Sequence, residues 1–230
     1  MGNSKNIKHS VDILNLLILQ NGGSLDTSKK FVNITNRQSE TAMKFYTDFL
    51  TEHKTWSPDL RWDLEMFYSG NLAMMFGPSW RAFDIIQANP SIEIGVSSVP
   101  QLPNNPPVNY GLYWGHSVAV SSPNSYEAWK FIEYLSQREQ MQEYYSNGSK
   151  IRAFGQPYSR VDLAQDLSNN PYVAPIMESA PTMKSFKMGY QTEVESYLRT
   201  AINDVAENSA SPEDALSLSL IHISEPTRPY

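Results

Sequence analysis

The stretch Phe67-Tyr68-Ser69-Gly70-Asn71-Leu72-Ala73-Met74-Met75-Phe76-Gly77-Pro78-Ser79-Trp80 decides the fold. Residues from Glu65 to Ser69 read as a short helix, and Gly70-Asn71 lets the chain turn sharply. Leu72 to Phe76 then reads as a strand. Ala73 and Met75 project to the face opposite Met74, so both faces are apolar, as in a buried parallel strand. Gly77-Pro78 ends that strand at its carboxyl edge, where ligand sites of α/β sheets form. Ser79 can cap a helix running to about Asn89, and Trp80 sits at its start. Strand, break and helix in this order predict an α/β architecture.

The same alternation continues outward. Val11, Leu14, Leu17 and Ile18 share a helical face, widened by Ile13 and Leu16, and Gly22-Gly23 supplies a left-handed stop. Phe31 to Ile34 reads as a short strand. Thr35 and Gln38 have capping-box spacing ahead of a helix carrying Ala42, Phe45, Tyr46, Phe49 and Leu50. Thr55 to Leu64 reads as loop. Further strands are expected at Ile92 to Val99 and Ser117 to Val120, with a rigid loop between them at Pro100, Pro103, Pro106 and Pro107. Asn124 and Glu127 have capping-box spacing at the head of the longest helix, expected to run to about Tyr145. Its core stripe is Ala128, Phe131, Ile132 and Leu135. Asn170-Pro171 starts a short helix. Val194, Tyr197, Leu198, Ala201, Ile202 and Val205 mark another, and Ser211-Pro212 begins a last one, with Asp214 three places beyond its cap.

Composition excludes several function classes. The chain has 230 residues, 40% hydrophobic and 18% charged, which is a globular balance. A formal net charge of −6 disfavours nucleic acid, which needs clustered Lys and Arg. The absence of cysteine removes disulfides, thiolate nucleophiles and Cys-based zinc sites. The 5 Trp and 13 Tyr supply flat apolar faces with polar edges, suited to the C–H faces and hydroxyl rims of sugars. The longest apolar stretch, Val11 to Leu19, is too short to cross a membrane and contains Asp12 and Asn15. His9, His53, His116 and His222 are scattered, with no metal-ligand spacing, and no metal or cofactor is expected. No G-x-S-x-G elbow, phosphate-binding loop or G-x-G-x-x-G occurs. Glu65, Glu93, Asp162 and Asp166 are candidates for a glycosidase pair only as carboxylates, and solvated surface charge is the expected reading. The sequons at Asn33 and Asn147 carry no weight.

The stretch quoted above resembles the F-x-x-G-x-x-A-M-x-x-x-G-x-x-W signature of extracellular solute-binding proteins of the sugar-binding class, relatives of maltose-binding protein. The segment from Asp12 to Gly23 is similar to the part that opens this region in the family. Val99-Pro100-Gln101-Leu102-Pro103 resembles a family strand ending in a proline-rich loop. Tyr113 to Val120 resembles a strand crossing between lobes, Glu127 to Ile132 the helix after it, and Ala201 to Leu216 the terminal helices. The resemblance implies a two-lobed, type II binding-protein fold that closes about a hinge on a carbohydrate. It implies delivery of that ligand to an ABC permease at the membrane. It also implies a monomer, extracellular or periplasmic, anchored as a lipoprotein when intact.

On this reading Trp80 stacks on a sugar ring, Tyr113 and Trp114 line the same cleft, and Tyr110 and Asn21 are further ligand-binding candidates. Glu195 aligns where some relatives place a sugar-stacking ring. No catalytic residue is expected. A glycan-acting enzyme and an α/β interaction module without small ligand are the alternatives. The expected division is 1–115 for the C-terminal-lobe portion, 116–185 for a segment packing on the N-terminal lobe, 186–219 for terminal helices, and 220–230 for a non-native tail. That tail resembles a translated sequencing adaptor. The first lobe is expected to lack its opening strands and helices, so the chain alone should fold poorly and bind sugar weakly.

Overall fold

The structure, a computed structural model, describes residues 1–23, 34–186 and 191–217. Most of the expected Phe31 to Ile34 strand, and the 220–230 tail, lie outside the described residues. The chain forms two compact units. Unit 1 holds Met1–Gly77, Val99–Gly111 and the described residues from Thr182 onward; unit 2 holds Pro78–Ser98 and Leu112–Pro181.

Unit 1 is built on α1 (Ser10–Gln20), α2 (Arg37–Thr51) and α3 (Asp63–Tyr68), with α8 (Gln191–Ala206) returning late in the chain. Every residue of α1 except Asp12 is buried. The expected one-sided stripe is therefore an all-round core helix, as a run from Ile13 to Leu19 that is apolar at every position but Asn15 permits. Its end has the expected geometry. Gly22 adopts φ +79°, its N–H reaches the carbonyl of Leu19, and that of Gly23 reaches Ile18. This is the paired-bond stop that a left-handed residue makes possible. Gly70 ends α3 in the same way, with φ +78° and bonds from Gly70 to Phe67 and Asn71 to Met66.

The start of α2 corrects the expected cap. Asn36, one residue beyond Thr35, is the N-cap, and its Oδ1 accepts from the Ser39 N–H at 2.9 Å. The inward face of α2 is Ala42, Met43 and Tyr46, while Phe45 is exposed and meets Phe49 edge-on at 5.5 Å. Val194, Leu198, Ala201, Ile202 and Val205 of α8 pack with Leu14, Ile18, Met43 and Tyr46 in one core. Tyr46 donates its hydroxyl to the Asn3 carbonyl at 2.8 Å, and burial pushes its phenol far above the ordinary range. After α8, Ser211 Oγ accepts from the Asp214 N–H at 3.1 Å, capping the helical turn at 212–217.

Among the described residues the sheet consists of β1 (Asn109–Tyr110) and β2 (Met183–Lys184), paired in parallel. The expected strands at Leu72 to Phe76, Ile92 to Val99 and Ser117 to Val120 form no ladder. Alternation describes which faces are apolar; a strand exists only where a neighbour takes its backbone hydrogen bonds. The quoted stretch shows the consequence. Met74 is exposed and only Phe76 packs against the unit 1 core, so Leu72 to Phe76 is not the buried strand its composition suggested.

Unit 2 carries α4 (Arg81–Ala88), α5 (Ser125–Leu135), α6 (Arg138–Ser149), a 3₁₀ segment (Val161–Leu167) and α7 (Ala174–Ser179). Its core gathers Ala82, Phe154, Leu167 and Val173 under Phe83, Tyr145 and Tyr172. The single long helix expected from Asn124 to Tyr145 is two. Ser136 Oγ bonds back to the Ile132 carbonyl at 2.7 Å, Gln137 turns extended, and α6 starts anew. Asn124 is the N-cap of α5, without a side-chain cap bond.

No residue of α5 is buried; Trp129 and Phe131 are 56% and 60% exposed. An apolar face without a covering surface leaves little to resist local opening. In hydrogen exchange on this chain, the amides of α5 should therefore exchange faster than those of α1 and α8. Equal protection would mean that α5 is packed and that its exposure is not real in solution.

Candidate functional site

Trp80 is the N-cap residue of α4, one place ahead of the first helical residue, where the sequence reading had put Ser79. The turn ahead of it is made by backbone alone: the Arg81 N–H donates to Pro78 and the Ala82 N–H to Ser79. Ser79 supplies its carbonyl, and the expected cap position falls on Trp80 instead. Trp80 is 41% exposed, so part of it is covered and part is open. Arg81 beside it is fixed by an ion pair with Asp84.

Tyr113 and Trp114 also lie in unit 2, in an extended segment without a ladder partner. They are 82% and 100% exposed. Neither ring is used for packing, which leaves both faces of Trp114 available.

Tyr110 and Asn21 lie in unit 1. Asn21 closes α1, and its Nδ2 donates to the Gln38 carbonyl at 2.8 Å, a bond tying the end of α1 to the start of α2. Tyr110 sits on β1, with its ring 5.8 Å from that of Phe186. Its hydroxyl oxygen accepts from Asn15 Nδ2 at 3.3 Å. Burial pushes the Tyr110 phenol up to about 12; the carboxylates of Asp12 and Glu195 add to the rise, and the bond from Asn15 opposes it. Tyr110 is thus protonated across the neutral range.

Asp12 and Asn15 were read from the sequence only as interruptions of an apolar run. In the structure they stand one turn apart on α1. Asn15 is 1% exposed, and its Oδ1 has no hydrogen-bond partner. The available signal was their spacing: two polar residues at i and i+3 in an otherwise apolar helix share a face. Asp12 is held by His9 Nδ1 at 2.7 Å.

Three of the four carboxylates named for a glycosidase pair are engaged on the surface, and the fourth, Glu93, is exposed. Glu65 pairs with Arg61 at 2.6 Å, and Asp166 with Arg138 at 3.3 Å. Asp162 accepts from Arg160, which holds its carboxyl below the ordinary range. A general acid needs the opposite shift. Among the described residues no group of three or more His, Asp or Glu side chains could hold a metal ion, and no helix is long and apolar enough to cross a membrane.

The family model of bacterial extracellular solute-binding proteins matches residues 9–142, more than half of the chain. No curated protein matches. Among solved structures, an ABC transporter solute-binding protein from Thermotoga lettingae bound with α-D-tagatose is 21% identical, with a TM-score of 0.71. That match covers 97% of this chain and 58% of the other. A cyclo/maltodextrin-binding protein complexed with maltotetraose is 18% identical, with a TM-score of 0.76, over 95% of this chain and 57% of the other. The chain therefore spans under two thirds of the length of either. Likeness at these identities establishes the shared type II binding-protein fold.

Proposed function

Because the chain belongs to the family of bacterial extracellular solute-binding proteins, we propose that it is the major part of a carbohydrate-binding component of an ABC importer. The intact protein, this chain with whatever flanks it, binds a mono- or oligosaccharide outside the cell and hands it to a membrane permease. It works as a monomer and catalyses no reaction on the sugar. The observation that carries this reading is Trp80. It stands within the matched span, fixed at the head of α4, with its indole partly open.

The mechanism is binding with closure. A sugar ring stacks its C–H face on the Trp80 indole, and Tyr113 and Trp114 offer further faces. The ligand contacts both lobes in the closed state and only one in the open state. That difference in contacts is the sole free energy available to shift the population toward closure.

Trp80→Ala in the intact protein is expected to weaken sugar binding about tenfold or more. Stacking contributes about 0.5–1.5 kcal/mol beyond the area the ring buries, and about 1.4 kcal/mol is a factor of ten. The melting temperature without sugar should change little, because the ring is only partly buried. Calorimetric titration of both proteins checks this. Unchanged affinity would assign Trp80 to packing.

A further inference from the structure

The sequence holds two Asn-Gly pairs, Asn21-Gly22 and Asn147-Gly148, and the fold treats them differently. We propose that Asn147 is a self-modification site, where the side chain closes on the Gly148 nitrogen, loses ammonia and leaves aspartate or isoaspartate near the end of α6. This chemistry needs no ligand and stands apart from sugar binding.

Closure meets least hindrance at Asn-Gly, because glycine has no Cβ beside its nitrogen. Hydroxide takes the Gly148 amide proton, and the nitrogen attacks Cγ of Asn147. The N–Cγ bond forms, the Cγ–Nδ2 bond breaks, and Nδ2 leaves as ammonia with a proton from water. Water then opens the succinimide at either carbonyl, giving aspartate or isoaspartate. No oxidant or cofactor takes part. While Cγ is tetrahedral, its oxygen Oδ1 carries the negative charge.

Lys150 is placed to meet that charge. Its Nζ donates to Asn147 Oδ1 at 2.8 Å. Lysine only donates, so the atom it faces is the oxygen that becomes the oxyanion. A donor already aimed where charge develops lowers the barrier. The surroundings permit the motion as well. Asn147 is exposed, no residue of α6 is buried, and the helix ends at Ser149. Closure needs the Gly148 N–H out of the helical ladder, and last turns fray. The bonds that close this end are long, 3.3 Å from the Lys150 N–H to the Asn147 carbonyl and 3.2 Å from the Ile151 N–H to that of Gly148.

Asn21 has the same sequence signal and the opposite setting. Its amide nitrogen is tied to the Gln38 carbonyl at 2.8 Å. The Gly22 and Gly23 N–H groups are held by the Leu19 and Ile18 carbonyls at 3.1 and 2.9 Å, at the end of the buried α1. Attack there requires opening the core helix of unit 1, which is the costlier event.

The product bears on the core of unit 2. Isoaspartate inserts one more main-chain carbon ahead of Gly148. A Cβ on Gly148 would stand only 3.1 Å from the Gly155 Cα, so the contact has no room for such a shift. Conversion therefore loosens the loop that carries Phe154 into that core.

The test incubates the intact protein in neutral and mildly alkaline buffer, then reads the peptides spanning Asn21 and Asn147 by mass spectrometry. The expected result is that Asn147 converts first, and faster at the higher pH. Lys150→Met, at an exposed position, should slow it severalfold. In urea the two pairs should convert at similar rates and Lys150→Met should have no effect, because the fold then contributes nothing. Converted protein should show faster hydrogen exchange in α6 and the loop after it, with α1 unchanged. Asn21 converting as fast as Asn147 in the folded protein would overturn the assignment. So would a preference for Asn147 that persists in urea. An unchanged rate in folded Lys150→Met would overturn the role of its ammonium, and conversion without faster exchange would overturn the link to the Gly155 contact.

Discussion

Gly155→Ala is expected to lower the melting temperature of the chain by several degrees. A Cβ at this position would fall 2.6 Å from the Cα of Tyr145 and closer still to its carbonyl oxygen. Those are backbone atoms of α6, which cannot swing aside as a side chain would. Gly148 faces the same contact, with a Cβ there only 3.1 Å from the Cα of Gly155. Two glycines thus let the loop after α6 lie directly on the helix. That approach seats Phe154, which is 2% exposed, meets the Phe83 ring at a tilt at 4.4 Å and stacks against Tyr172 at 5.9 Å. Overfilling such a contact costs about 1–3 kcal/mol, and each kcal/mol corresponds to about 2–4 °C in a chain of this size. Thermal unfolding by circular dichroism measures it. Hydrogen exchange should place the loss in α6 and the loop that follows. A melting temperature within a degree of the unsubstituted chain would show that the loop does not lie against α6 in solution.

Ile202→Ala should have the second large effect, in unit 1. Ile202 is fully buried at the centre of the α8 stripe, between Leu198 and Val205 and against the α1 and α2 residues of the same core. Removing its branched side chain forfeits burial and leaves a cavity, for about 2–5 kcal/mol. Denaturant unfolding should show a lower midpoint with an unchanged slope. Phe131→Ser on exposed α5 is the internal comparison, expected within about 0.5 kcal/mol of neutral. If the two substitutions cost the same, the division between a packed α8 and an uncovered α5 is wrong.

The contrast between α8 and α5 also marks where the sequence was legible. Both carry apolar residues at helical spacing, and both are helices. Periodicity reads the face of an element, and that reading held for Val194, Leu198 and Ile202. It does not say what lies opposite the face, which is why Phe131 and Trp129, read with the same logic, stand in solvent. The strands failed for a related reason. Leu72 to Phe76 has strand composition, yet its hydrogen-bond partners are a matter of tertiary structure, and no ladder forms there. Helix stops were legible because Gly22 and Gly70 act locally, through their own φ angles.

The candidate site divides in the same way. Trp80 could be placed at the head of α4 because the Gly77-Pro78 break and the following periodicity are local signals. Asn15 could not be placed, because its partner Tyr110 lies 95 positions away. An asparagine inside an apolar helix reads as a flaw until the strand that contacts it is known. The close approach of Gly148 and Gly155 was equally hidden; Gly148 stood out only as the middle of a sequon.

The measurement that bears most directly on the central claim is calorimetric titration of the intact protein with neutral mono- and oligosaccharides, with reducing ends assayed in the same samples. The account predicts saturable binding of at least one neutral sugar with a single site per chain, and no new reducing ends however long the incubation. Absence of saturable heat across the panel, or hydrolysis that saturates with sugar concentration and disappears when one carboxylate is replaced, would contradict it.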